Sequence, residues 1–98
     1  MSNTGLSDAV AMKLVSETPH LRWLDVSLNS GLSDEFVGFL ANNCPHLQWL
    51  SLAYCSNVTK KGVFELLEHC ENLSFLNLRR TPIGLKFESF CYYIIIIY

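Results

Sequence analysis

An excess of charge of either sign is missing from this 98-residue sequence: Lys plus Arg number 7 against 9 for Asp plus Glu, a net charge of −2. Neither a basic stripe for nucleic acid nor an acidic tail follows from that balance. The two basic pairs, Lys60-Lys61 and Arg79-Arg80, are too few for phosphate-dominated binding. Long hydrophobic runs are missing too. The longest, Phe90 to Tyr98, has 9 residues, where a membrane-spanning helix needs roughly 20. The opening MSNTGLSDAVAMKLV lacks the basic segment and apolar run of a secretory signal, so the expected location is cytoplasmic or nuclear. The 4 cysteines, Cys44, Cys55, Cys70 and Cys91, form no Cys-x-x-Cys pair and lack the dense spacing of a disulfide scaffold. No glycine-rich phosphate loop, His-Glu-x-x-His or Gly-x-Ser-x-Gly occurs, and no motif activates a thiolate. A non-enzymatic chain without cofactor or metal is therefore expected.

Apolar material is plentiful: 50% of the residues are hydrophobic and 12% aromatic, which excludes an intrinsically disordered chain. Its distribution is periodic. The segments TPHLRWLDVSLN (Thr18 to Asn29), CPHLQWLSLAYC (Cys44 to Cys55) and CENLSFLNLRRT (Cys70 to Thr81) align at a constant offset of 26 residues. Three apolar rows result: Leu21, Leu47, Leu73; Leu24, Leu50, Leu76; and Val26, Leu52, Leu78. An aromatic row, Trp23, Trp49 and Phe75, shares the register. The intervening segments repeat as well, GLSDAVAMKLVSE and GLSDEFVGFLANN matching NVTKKGVFELLEH. Ser7, Ser33 and Thr59 fall where a side-chain oxygen caps a helix N-terminus, and Asp8 and Asp34 follow where a negative charge suits the helix dipole. Apolar residues then recur at helical spacing, as in Phe36, Val37, Leu40 and Val63, Leu66, Leu67.

Each unit is thus a short strand, a turn and a returning helix, which forces a parallel crossover and side-by-side stacking. The expected strands are Trp23–Val26, Trp49–Leu52 and Phe75–Leu78. The expected helices are Asp8–Ser16, Asp34–Ala41 and Lys60–Glu68. The Leu-x-x-Leu-x-Leu-x-x-(Asn/Cys) spacing is that of a leucine-rich repeat. The fold class is α/β, a leucine-rich-repeat solenoid fragment with parallel strands on the concave face and helices on the convex face. Its divisions are a half repeat at 1–17, full repeats at 18–43 and 44–69, a partial repeat at 70–90, and a hydrophobic, non-repeat tail at 91–98. The tail CYYIIIIY carries no leucine motif, and Cys91 stands five residues before a further unit is due. Such a β-branched, uncharged stretch aggregates if exposed, and the repeat array is expected to be interrupted near Phe90.

The 26-residue unit, the Cys44-Pro45 start, Cys55 at the end of the strand motif and Val58-Thr59 before the helix resemble the cysteine-containing leucine-rich repeats of F-box substrate receptors and related adaptors. The resemblance spans Gly5 to Thr81. It implies target recognition in ubiquitin-ligase assemblies, with no F-box expected ahead of a half repeat that starts near Gly5. A scaffold or regulatory repeat protein outside ubiquitination is one alternative. A truncated product without independent function is another.

Strand alternation directs the residues between the leucines outward. The expected partner-binding face is Trp23, Trp49 and Phe75, beside Asp25, Ser51 and Asn77 and then Ser27, Ala53 and Arg79. Stacked aromatics among polar groups resemble an interface hot spot, and equally these rings could pack on one another to shield the sheet. The expected partner is a protein, with no nucleic acid and no membrane, and with self-association available through exposed repeat ends or the tail. Asn29, Cys55 and Thr81 read as turn residues whose polar side chains bond nearby backbone. Cys44 and Cys70 stack in register and read as buried thiols rather than a disulfide. Cys44, His46, His69 and Cys70 lack the paired spacing of a zinc site.

Overall fold

The computed structural model describes residues 7–83 and 95–97. Three helices, α1 (Asp8–Ser16), α2 (Asp34–Asn43) and α3 (Lys60–His69), alternate with strands β1 (Trp23–Asp25), β2 (Trp49–Ser51) and β3 (Phe75–Asn77). A fourth strand, β4 (Ile95–Ile97), follows. All neighbouring strands are parallel, and the sheet order is the chain order, β1-β2-β3-β4. The 26-residue offset is the register itself: Trp23 pairs with Trp49 and Trp49 with Phe75. Leu24, Leu50 and Leu76 lie side by side in the same way. This is a repeat-like α/β fold with an open parallel sheet.

The three-residue strands understate the pairing. Bonds from Val26 N–H to the Ser51 carbonyl (3.1 Å) and from Leu28 N–H to the Ala53 carbonyl (2.9 Å) carry the β1–β2 ladder further. Leu52 and Tyr54 bond to Asn77 and Arg79 in the equivalent places. The chain leaves β1, β2 and β3 through a residue of positive φ: Leu28 at 65°, Tyr54 at 62° and Arg80 at 63°. A left-handed conformation costs a non-glycine residue about 1–2 kcal/mol, and the continued backbone ladder offsets it at Leu28 and Tyr54.

Helix starts follow the capping residues. The Ser7, Ser33 and Thr59 side chains accept from Val10, Glu35 and Lys61 N–H, respectively. The acidic residue after each of the first two caps does more than face the dipole. Asp8 accepts from the Ser33 N–H (2.9 Å) and from the Ser33 hydroxyl (2.5 Å), one unit further along. Asp34 repeats the arrangement on Thr59, accepting from its N–H at 2.7 Å and from its hydroxyl. One carboxylate therefore ties each cap to the next. Lys60 occupies the third position and ends the series. Helices α2 and α3 run to Asn43 and His69, one or two residues past the spacing-based ends, with Cys44 and Cys70 N–H closing onto the Leu40 and Leu66 carbonyls.

The core lies between sheet and helices. Leu47, Leu50, Leu52, Leu73, Leu76, Leu78 and Val26 are buried there with Phe36, Leu40, Val63 and Leu66 from the helices. Each such side chain contributes about 1.5–3 kcal/mol when taken from water. The first unit is less complete, with Leu21 and Leu24 only partly buried. At the other end, β4 pairs with β3 through Phe75 and Ile95, a 20-residue step in place of 26. Residues 84–94, where the interruption near Phe90 was expected, lie outside the described residues.

The cap-to-cap carboxylates generate a prediction about stability. Asp34→Ala removes two hydrogen bonds to a charged acceptor and should destabilise the chain by about 2–4 kcal/mol. Gly62→Ala should also destabilise it, because a Cβ there would sit 2.5 Å from the Asp34 Oδ1. That clash outweighs the helix-propensity gain of about 1 kcal/mol. Urea unfolding followed by far-UV circular dichroism measures both. A more stable Gly62→Ala protein would mean that the Asp34 contact contributes nothing.

Candidate functional site

The outward positions of β1, β2 and β3 bring Trp23, Trp49 and Phe75 into one stack. The Trp23 and Trp49 rings lie 4.0 Å apart at 11°, and Trp49 and Phe75 lie 4.9 Å apart at 5°. Near-parallel offset stacking is a favoured aromatic geometry. It arises here because strand register fixes the three Cβ atoms one strand spacing apart. Trp49 and Phe75 are half-buried by their neighbours, while Trp23, at the end of the stack, is 58% exposed.

Two polar rows run beside the rings. Asp25 accepts from its near neighbour Ser27 through both the N–H (3.0 Å) and the hydroxyl (2.6 Å). The Ser27 hydroxyl also meets that of Ser51 at 2.7 Å. Asn77 accepts from the Arg79 N–H at 3.0 Å. Asp25 and Asn77 thus brace the turns that follow their strands, the same task in two units. Of the nine residues expected on the face, seven are at least partly exposed. Ser51 and Ala53 are not, at 3% and 6%. Both are short side chains flanked in their rows by longer ones, Asp25 and Asn77 or Ser27 and Arg79, so they supply a floor rather than contacts.

Spacing alone did not single out Leu28 and Tyr54. Both are exposed beside the face, lifted there by their positive φ. The available signal was positional: Leu28, Tyr54 and Arg80 share a repeat position yet have unrelated side chains, so backbone and not side-chain chemistry defines the site.

The turn residues behave alike by different means. The Asn29 side chain donates to the Val26 carbonyl (2.8 Å), and the Thr81 hydroxyl to that of Leu78 (2.7 Å). The Cys55 thiol reaches into the preceding unit, to Val26, at 3.3 Å. Cys44, Cys55 and Cys70 are free and buried. Burial raises the pKa of all three, and for Cys70, with Cys44 adding to the effect, it reaches about 11. These are poor nucleophiles. His20 and His46 stack with centroids 5.7 Å apart. Among the described residues no group of His, Cys, Asp and Glu is placed to hold a metal ion, and no helix is long and apolar enough to cross a membrane. The connection from α1 to β1 borders an open space of about 570 Å³ lined by Glu17, Pro19, His20, Leu21 and Trp23 among others. A second cleft of about 560 Å³ lies on the helical side between Asp34, Phe39, Asn42, Lys61 and Glu65, bridged by the Asn42–Glu65 hydrogen bond of 2.9 Å.

No family model matches the sequence, and no curated protein matches it closely enough to count. Solved structures do. A chain of the Rad7 and Elc1 complex in yeast is 33% identical with a TM-score of 0.66, over 74% of this chain and 18% of that one. A chain of the Chaetomium Mex67:Mtr2 subunits has a TM-score of 0.65 at 19% identity, over 88% of this chain and 65% of that one. This chain therefore spans less than a fifth of the first and under two thirds of the second. Both neighbours were solved in complexes with protein partners.

The buried thiols predict a reactivity pattern. At pH 8 a Cys70 thiol with a pKa of about 11 rather than 9.0 holds roughly 100-fold less thiolate. In the native chain, iodoacetamide should spare Cys44, Cys55 and Cys70, and in urea it should modify all three, as read by peptide mass mapping. The raised pKa also fixes a sign. The folded state holds the Cys70 proton more tightly, so its contribution to stability is whole below pH 9 and falls as pH climbs toward 11. Native-state alkylation of Cys70 at pH 8 would contradict the burial on which both expectations rest.

Proposed function

We propose that this chain is a non-catalytic protein-interaction module of leucine-rich-repeat solenoid type, which binds a protein partner across the outer, concave side of its sheet. The observation that carries the reading is the outward-facing Trp23–Trp49–Phe75 stack, exposed at Trp23 and half-buried at Trp49 and Phe75. Rings held at fixed spacing by strand register have lost their rotamer freedom before any partner arrives, so little ordering entropy is left to lose on binding. Tryptophan and tyrosine are also the residue types enriched at interface hot spots. Asp25, Ser27, Asn77 and Arg79 surround the rings with donors and acceptors suited to a polar rim. Tyr54 and Leu28 widen the face.

Substrate recognition in a ubiquitin-ligase assembly is the finer form of this proposal. It is supported by the resemblance of the repeats to those of F-box substrate receptors, and by likeness to a structure solved as a Rad7–Elc1 complex. A cytoplasmic or nuclear location is part of the same proposal.

Paired substitutions test it. Trp49→Ala removes the central rung and should weaken partner binding by about 2 kcal/mol or more, roughly 30-fold, with the fold retained. Leu50→Ala, next in sequence and facing the core, should destabilise the chain by about 2–5 kcal/mol through a cavity. Calorimetry against a partner recovered by cross-linking gives the first value, and thermal unfolding gives the second. Should Trp49→Ala melt like Leu50→Ala and bind unchanged per folded molecule, the stack is packing and the interface lies elsewhere.

A further inference from the structure

The outward side of the sheet carries opposite charge at its two ends. Asp25 on β1, Ser51 on β2 and Asn77 on β3 form one row, each in register with the next. Asp25 and Asn77 perform one structural task, accepting from the N–H two residues on, at 3.0 Å in both units. A neutral amide does this as well as a carboxylate, so the turn does not require the negative charge of Asp25. Both bonds to Asp25, from the Ser27 N–H and hydroxyl, fall on Oδ1. Its Oδ2 has no partner among the described residues.

The protons of the row are ordered toward that carboxylate. The Ser27 hydroxyl gives its one proton to Asp25, so in the 2.7 Å contact between the hydroxyls Ser51 is the donor. At the β3 end the Arg79 N–H occupies Asn77 Oδ1, and the two Nδ2 protons are unspent among the described residues. Arg79, exposed on the same side two residues along, adds a guanidinium beside them. One end thus offers an anionic acceptor, and the other offers donors and a cation. Strands lie about 4.8 Å apart, so Asp25 and Asn77 stand roughly 10 Å apart across β2, with Trp49 and Phe75 alongside. A β-strand laid across the sheet returns a side chain to one side every ~6.8 Å, whereas a polyproline II segment does so every third residue, after ~9.3 Å. The second spacing matches, and surfaces lined with aromatic rings suit such segments, whose preset conformation leaves little entropy to lose.

We propose that the partner segment this face accepts is an extended, polyproline II-type peptide carrying Lys or Arg and, three residues away, Asp or Glu. It lies across the strands with its cation on Asp25 and its carboxylate between the Asn77 amide and Arg79. The proposal rests on the partner-binding reading of the face and adds to it the order and spacing of charge in the partner.

Selection of short random linear peptides, displayed on phage, against the full chain tests it. Enriched peptides should share a basic and an acidic residue three positions apart, with proline between or beside them. Asp25→Asn keeps the oxygen that braces the turn and removes the charge, and Arg79→Gln keeps the bracing N–H, so both should retain the parent circular dichroism spectrum. Each should weaken a selected peptide about fivefold in fluorescence anisotropy. Neither should affect a version of that peptide in which the charged residue facing it is already Gln, and added salt should weaken the parent pair. Enriched peptides that lack the charge pair, carry it at another spacing or ignore both variants overturn the proposal. If Trp49→Ala still weakens those peptides, the partner-binding reading stands. Peptides that ignore Trp49→Ala as well place the interface elsewhere and overturn both. No enrichment at all overturns the proposal alone, since a folded partner needs no linear segment.

Discussion

A three-residue strand and a helix of nine or ten residues cannot enclose a leucine between them. The leucine is enclosed only when a further strand lies against its own on either side, as β1 and β3 do for Leu50 and β2 and β4 for Leu76. Neighbour-on-neighbour burial, at a constant step from β1 to β3, is the constraint on which the repeat-like part of the fold depends. It accounts for the parallel register, since only equivalent residues placed side by side keep the three leucine rows continuous. It accounts for the contrast between Leu24 and Leu50, identical residues at identical positions whose burial differs by the presence of a preceding unit. The Asp8–Ser33 and Asp34–Thr59 contacts hold the helices at the same step that the strand ladder sets on the opposite side. Sheet and helix layers are thereby kept in phase.

Much of this was legible because the repeat converts spacing into position. Once Leu21, Leu47 and Leu73 were aligned, the strands around Trp23, Trp49 and Phe75 followed, and the caps Ser7, Ser33 and Thr59 marked the helix starts. What escaped was contact between units. Asp8 reads locally as a first-turn acid, and nothing near it in sequence discloses a bond to Ser33, 25 residues away; the distance between stacked helices decides that. The Cys55 thiol likewise bonds in the preceding unit and not within its own turn. Ser51 and Ala53 alternate correctly yet are buried, since alternation gives direction and says nothing about how tall the neighbouring side chains stand.

The aromatic stack lies between these two cases. Its geometry follows from register and was expected, whereas the service it performs depends on what meets it. Stacking shields the ring faces of Trp49 and leaves Trp23, at one end, 58% exposed. A partner docking there, as proposed, would meet a stack of rings set by the strand register beneath it and bordered by the hydroxyl and carboxylate contacts of Asp25 and Ser27. Such a surface favours shape-matched contacts over deep insertion.

The left-handed residues at 28, 54 and 80 carry a different implication. Leucine, tyrosine and arginine occupy one conformation there, with φ within a few degrees of one another. At Leu28 and Tyr54 it is secured by main-chain N–H bonds to the Ala53 and Arg79 carbonyls, which proline alone could not donate. The side chains take no part in those bonds, so three unlike residues fit one turn. Along the margin of the sheet the repeat thus fixes the course of the main chain at these three places while leaving leucine, tyrosine and arginine to differ there.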